Sequence, residues 1–310
     1  MRSAPATLVD PESLLSIGAV VAELQPAYPD VTHSSLRFLE REGLLRATRT
    51  PGGHRLYSPA DVVRVRQIKD WQAQRLSLED IRQRLEAQDR LPAAPVLAET
   101  FLRQVLAGDL AGARQTIIAA DDVGMPLPRI FQEVLRPALV AVGERWASGA
   151  LRVGQEHEIT EVARELIAEL GMRHAAPHPV GGAILAAGVA GERHDLGLRM
   201  IVALLRAAGR RVHFLGADVD AQFLREEVVT RRPTFVLLSA TTAARLPAIE
   251  AATEVLSQPG AAAVSTLFVG GQVAREYGDT LRQWGVVPVN DDHLETALQS
   301  IMAAANGAPP

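Results

Sequence analysis

Ala183-Ile184-Leu185-Ala186-Ala187-Gly188-Val189-Ala190-Gly191-Glu192-Arg193-His194-Asp195-Leu196-Gly197 carries the clearest statement of architecture in the chain. Its first residues form an apolar run of strand length. A polar loop between two glycines follows, and then a helical pattern, so the segment reads strand, loop, helix. Further strand-length runs near Arg211–Leu215, Thr234–Ser239, Ala263–Val269 and Val286–Val289 alternate with helical stretches. Parallel strands need crossover connections, so this alternation predicts an open, doubly wound parallel α/β sheet of flavodoxin-like type, covered by helices on both faces. Ligands of such sheets sit beyond the carboxyl ends of the strands, where Gly191–Gly197 falls. His194 in that loop can reach a ligand in the crevice, and Glu192 or Asp195 can hold its other ring nitrogen. Gly197 would let the following helix approach something large and flat.

Working back from this block, His174–Gly182 reads as a linker by composition, and the segment before it is rich in Ala and Leu with helical periodicity. Helices are expected near Ala94–Ala107, Asp109–Asp121, Pro128–Ser148 and Gly154–His174, enough for a four-helix bundle. Pro92 and Pro95 break the seam with an Arg-rich N-terminal block. Three domains are therefore expected, at 14–90, 95–175 and 182–306, making a multi-domain protein of α and α/β type.

The 310 residues contain no cysteine, which removes disulfides, thiolate metal sites and Cys nucleophiles together. The formal net charge of −4 is unevenly spread. Between Val31 and Arg75 nine Arg/Lys face four Asp/Glu, a local +5 that leaves −9 for the remainder. A basic module on an acidic body suits phosphate contact at one end. No apolar run approaches the roughly 20 residues that cross a bilayer, and the Met1–Asp10 leader lacks a signal-peptide h-region, so a soluble cytoplasmic protein with no membrane partner is expected.

Within the basic block, a short helix starts at Ser16 and a second covers Thr32-His33-Ser34-Ser35-Leu36-Arg37-Phe38-Leu39-Glu40, with Asp30 or Thr32 as its N-cap and Gly43 as its end. Arg49-Thr50-Pro51-Gly52-Gly53-His54-Arg55-Leu56-Tyr57 reads as a hairpin wing, and Ser58-Pro59-Ala60-Asp61 restarts a helix. Phe38, Leu39 and Leu44 space as core. LRFLEREGLL, RTPGGHRLYSPADV and SLEDIRQRL together resemble the winged helix-turn-helix of the MerR family over some seventy residues. The resemblance implies that the helix bearing Thr32, Ser34 and Arg37 enters the major groove of operator DNA while Arg49, His54, Arg55 and Tyr57 of the wing touch its backbone. Pro26 and Pro29 lengthen the approach to that helix relative to the common pattern.

In the C-terminal block, Ser239-Ala240-Thr241 ends one strand and Val269-Gly270-Gly271-Gln272 ends the next. ExHxxG, SxT and GG in this order resemble B12-binding domains of the methionine-synthase type, which commonly carry Asp at the position of Glu192. The resemblance implies that His194 ligates cobalt from below while the displaced dimethylbenzimidazole tail passes Ser239, Thr241, Gly270 and Gly271. Trp146, followed after nine residues by Glu156-His157, resembles the cobalamin photoreceptor regulators of CarH/LitR type, as does the whole domain order. In that family these three residues wall in the upper 5′-deoxyadenosyl group, and a histidine usually follows the tryptophan; this chain has Ala147.

These resemblances imply a cobalamin-dependent transcriptional repressor and not an enzyme. The cofactor is expected to be adenosylcobalamin, with methylcobalamin as the alternative, and DNA binding is switched by light through the state of a homo-oligomer, a dimer of dimers. Ala147 supports the alternative of a light-independent cobalamin sensor. A corrinoid carrier serving an enzyme is disfavoured by the winged helix and by the lack of a substrate domain.

Overall fold

The structure is a computed structural model that describes residues 14–50, 52–258, 266–289 and 293–305. The Met1–Asp10 leader, Pro51 of the wing turn, residues 263–265 of the strand expected at Ala263–Val269, and the expected domain end at 306 lie outside the described residues. Two compact units part between Leu91 and Pro92.

The first unit runs β1 (Leu15–Ser16), α1 (Ile17–Leu24), α2 (His33–Arg41), β2 (Thr48–Arg49), β3 (Arg55–Tyr57), α3 (Pro59–Ala73) and α4 (Leu78–Arg90). Each of the four helices among its described residues starts on a hydroxyl cap: Ser16, Thr32, Ser58 and Ser77 accept from the backbone N–H three residues on, satisfying a donor that has no intrahelical partner. Thr32 is thus the cap of α2, and Asp30 instead takes the buried Lys69 ammonium at 2.6 Å. Leu36 and Leu39, one helical turn apart, join Val20, Leu24, Tyr57, Ile68 and Trp71 in one core. The hairpin β2–β3 pairs Thr48 with Leu56 and Arg49 with Arg55, and β1 closes the small antiparallel sheet.

The second unit opens with α5 (Ala94–Leu106), α6 (Leu110–Asp122), α7 (Leu127–Arg129), α8 (Arg136–Ala147) and α9 (Val153–His174). One continuous helix is expected over Pro128–Ser148, yet a π-helical turn at Ile130–Leu135 separates α7 from α8. Pro137 has no N–H to continue the α-helical ladder, and the Arg136 N–H reaches back five residues to the Phe131 carbonyl, which absorbs the break.

The sheet then forms with its helices: β4 (Val180–Val189), α10 (Leu196–Ala207), β5 (Arg210–Val219), α11 (Ala221–Arg231), β6 (Phe235–Ser239), α12 (Leu246–Leu256), β7 (Thr266–Gly270), α13 (Gln272–Glu276), α14 (Gly278–Gln283), β8 (Val287–Val289) and α15 (Leu294–Ala305). All pairings are parallel, in the order β5-β4-β6-β7-β8. The order reverses direction at β4, so the carboxyl ends of β4 and β6 flank the switch point where such sheets hold ligands. Alternation divides the core. Ile184, Ala186, Phe235 and Leu237 pack with Ile201, Leu205 and Ile301 on one face, while Leu185, Ala187, Val236 and Leu238 pack with Leu224, Ile249 and Ala252 on the other. β5 outruns its expected end at Leu215 because register shifts against β4 and positive φ at Gly216 (94°) and Asp218 (55°) let it bend and keep pairing to Val219. Among the described residues, no helix is long and apolar enough to cross a membrane.

Candidate functional site

In the second unit, a cleft of about 790 Å³ opens over the carboxyl ends of β4, β6 and β7 and is roofed by α8 and α9. His194, Ser239, Thr241, Gly270 and Gly271 line its floor, and Trp146, Glu156 and His157 line its roof, so the two groups of residues singled out in the sequence face one space.

The floor is built around Glu192, which is 1% exposed. One of its oxygens accepts from the His194 backbone N–H and lies 2.7 Å from His194 Nδ1; the other accepts from the Thr241 N–H at 2.5 Å. Burial pushes this carboxyl up, but the donors from His194 and Thr241 together outweigh it and hold the pKa below the ordinary carboxylate value. With Nδ1 committed to an anion, His194 presents Nε2, and its side chain is 71% exposed toward the cleft. Glu192, not Asp195, holds the ring. Asp195 is buried and takes Arg164 Nε at 3.1 Å and Arg199 Nε at 2.7 Å.

Gly197 has open space where a Cβ would stand, and Gly270 has nothing closer than 4.0 Å, so both leave room for a ligand. Gly271 answers a different need. At φ 95° a Cβ there would lie 2.3 Å from the Ala240 carbonyl, so tight packing of the β6 and β7 ends requires glycine. Beneath the strand ends the cleft continues as an apolar slot between Leu237, Val289, Ala297 and Ile301.

In the roof, Trp146 ends α8 and is 48% exposed, which removes it from the bundle core. Gly149 (φ 75°) turns the chain so that Glu156 and His157, in the first two turns of α9, come under the same roof. Glu156 accepts from Thr160 Oγ1 at 2.6 Å and lies 2.7 Å from His157 Nδ1. Burial raises the Glu156 pKa, and these contacts more than reverse the effect. Arg164 and Thr160 escaped the sequence reading, although Glu156, Thr160 and Arg164 repeat every four residues and so share one face of α9.

In the first unit, Thr32, Ser34, Arg37, Arg49 and His54 are exposed on α2 and the wing. One expectation changes. Tyr57 is fully buried and cannot touch a DNA backbone: along β3 it shares a side with Arg55, turned toward α2 and the core, and burial pushes its phenol pKa up. Arg55 and Arg49 are both engaged by Glu40 of α2, at 2.5 and 3.2 Å. The Arg55 guanidinium holds the Glu40 carboxyl below its usual range, and the wing is thereby tied to the helix expected to read the groove.

A winged helix in one unit and a histidine-floored cleft over a parallel sheet in the other define a regulator with a ligand-binding module. The sequence matches bear on which one. Residues 16–88 match the MerR HTH family regulatory protein family, and residues 97–170 and 182–297 each match a B12 binding domain family. The chain is 35% identical over 219 residues to the HTH-type transcriptional repressor CarH of Myxococcus xanthus, covering 64% of this chain and 71% of that one. It is 32% identical over 253 residues to the repressor CarA of the same organism, covering 80% and 84%. The fold is shared with the monomethylamine corrinoid protein of Methanosarcina barkeri, at a TM-score of 0.55 and 19% identity over 68% of this chain and all of that one. The chain belongs to the CarH-type family of B12-binding MerR regulators, a family of transcription regulators and not of enzymes.

The residues fit a corrinoid. Among the described residues no cluster of three or more His, Cys, Asp or Glu is placed to hold a bare metal ion. A single oriented imidazole suits a cobalt that brings its four equatorial nitrogens with it, and the apolar slot suits a displaced aromatic tail.

Proposed function

We propose that this chain is a repressor that binds operator DNA as an adenosylcobalamin-loaded oligomer, a dimer of dimers, and that light is the signal that lowers its occupancy. The observation that carries this reading is the walled space above His194, in which Trp146, Glu156 and His157 face the floor across one cleft and leave room for a bulky upper substituent. When bound, adenosylcobalamin supplies a photolabile cobalt–carbon bond; the chain supplies everything else. His194 holds the lower face, Gly197, Ser239, Thr241, Gly270 and Gly271 leave passage for the tail, and the roof residues hold the upper group. On DNA, Ser34 and Arg37 of α2 reach base edges, while Thr32, Arg49, His54 and Arg55 meet the backbone, with the two wing arginines sharing their charge with Glu40. Several weak DNA-binding modules held in one assembly bind far more tightly than one, so a change of assembly switches occupancy without any change in DNA contacts. The same proposal includes three domains, at 14–90, 95–175 and 182–306, and a cytoplasmic location.

The test is an absorption spectrum and a size-exclusion profile of adenosylcobalamin-loaded protein, before and after green light, with operator binding measured in both states. His194→Ala should lose the spectrum of histidine coordination. A wild-type spectrum in that variant would remove His194 from the metal, and an unchanged profile after illumination would remove light as the signal. Ala147, beside Trp146 at the end of α8, favours a second reading in which cobalamin acts as a chemical signal in the dark. Operator binding that depends on loading but not on illumination would establish it, and loading with methylcobalamin in parallel separates the two cofactor forms.

A further inference from the structure

The loop that carries His194 is anchored on both sides of the histidine, and the two anchors lead to different parts of the molecule. Before it, Glu192 is fixed to the sheet through the Thr241 N–H. After it, Asp195 is fixed to the roof. One oxygen of Asp195 takes Arg164 Nε from α9, the helix that carries Glu156 and His157, and the other takes Arg199 Nε from α10. Asp195 is 4% exposed, so this carboxylate has little recourse to water. A buried anion held by two guanidinium groups keeps a strict geometry, because either partner lost leaves charge unmatched away from solvent.

On α9, Glu156, Thr160 and Arg164 share one face that leads from the roof to this ion pair. His157 meets Glu156, Glu156 accepts from Thr160, and Arg164 stands one turn further on, also paired with Glu161. The imidazole on the floor and the Glu-His pair in the roof are thus joined through α9 along a wall of the cleft that Thr160, Arg164 and Asp195 themselves line.

Resting on the cobalamin reading above, we propose that Arg164 and Asp195 are positioning residues: their ion pair locks the His194 loop to α9, so that the floor imidazole and the roof are set as one piece. Neither residue touches the metal. Breaking the pair should leave Glu192 on His194 but free the loop to drift from the sheet toward the altered roof, weakening histidine coordination from a distance.

The test loads the full chain, as wild type, Arg164→Gln, Asp195→Asn and the double variant, with hydroxocobalamin, whose upper ligand does not depend on the adenosyl or light readings. Cofactor release, the absorption signature of histidine coordination, and the circular dichroism of the unloaded proteins are recorded. Each single variant should keep its secondary structure, release cofactor about tenfold faster and show a reduced histidine signature. The double variant should release no faster than the worse single one, because both substitutions break the same link. Should Asp195→Asn fail to fold, Arg164→Gln and Arg164→Lys decide alone. Arg164→Gln with wild-type release and a wild-type histidine signature overturns the proposal, as does a double variant whose effect is the product of the two singles. A wild type that never shows histidine coordination overturns the His194 reading itself, and this inference with it.

Discussion

Replacing Glu192 by Gln alters few atoms and should matter a good deal. The two carboxylate oxygens receive three N–H groups, from the His194 backbone, the His194 ring and the Thr241 backbone, at 2.7, 2.7 and 2.5 Å, in a side chain that is 1% exposed. An amide has one accepting oxygen. If it stays with His194, the amide NH2 faces the Thr241 N–H, donor against donor; if it flips, the conflict falls on the His194 backbone N–H, and the ring must give up its Nδ1 proton to accept. A hydrogen bond to a charged group contributes about 1.5–3 kcal/mol net, and a buried donor left without a partner costs about 1–3 kcal/mol. Partial relaxation of the loop keeps the sum below the extremes, and a loss of about 3 kcal/mol is expected at neutral pH. Urea unfolding of unloaded wild type and variant, followed by circular dichroism, measures it. Because the substitution also removes the group that orients the imidazole, cobalamin affinity should fall about 10- to 100-fold. Equal urea midpoints together with equal affinity would show that the carboxylate neither holds the loop nor orients the ring.

Three further outcomes are expected. Among the described residues the buried Tyr57 hydroxyl has no hydrogen-bonding partner, so Tyr57→Phe should leave stability unchanged or raise it by up to about 1 kcal/mol and leave operator affinity and its salt dependence as they were; a smaller salt slope would return Tyr57 to the DNA backbone. Asp121 is buried against His174 at 2.6 Å and Arg173 at 3.1 Å, and although burial raises its pKa these partners bring it below the ordinary 3.8. Its contribution is therefore present above 3.8 and lost as pH falls through the lowered native value, so Asp121→Asn should cost about 2 kcal/mol at about pH 5 and progressively less in more acid solution; a deficit that does not shrink on acidification would contradict this. Ala147 offers a methyl group where the resemblance to CarH/LitR-type regulators implies a histidine, and on the light-driven reading proposed above Ala147→His should make oligomer dissociation under green light faster and more complete in size-exclusion profiles; no gain would point to His157 as the residue that meets the upper face after illumination.

Several features of the protein could be read along the chain because their causes are local. The caps at Ser16, Thr32 and Ser58, the unbroken apolar runs that let β4 and β6 bury both faces, and the glycine and histidine of the loop after β4 are written within a few residues of where they act. The parallel sheet with helices on both faces was legible too, since strand–helix alternation leaves few ways to wind one. Trp146, Glu156 and His157 were visible as a spacing, and the turn at Gly149 had to follow if they were to meet. The π-helical turn before Pro137 was not visible, because proline announces a break without saying how the ladder absorbs it.

What the order of residues determined by itself, then, is which elements form, which faces are apolar, and that one histidine stands at the ligand-binding edge of a parallel sheet. What the tertiary structure alone decided is which charges meet: Glu192 with a backbone N–H 49 residues away, Asp195 with Arg164 across 31, and Glu40 with Arg55 across 15. A carboxylate is drawn to whichever donor folding brings within about 3 Å of it, and that distance is set by how helices and strands pack rather than by separation along the chain. For this reason Glu192 and Asp195, equal candidates as partners of His194 in the sequence, took different partners in the fold, and Tyr57, expected at the DNA, went into the core.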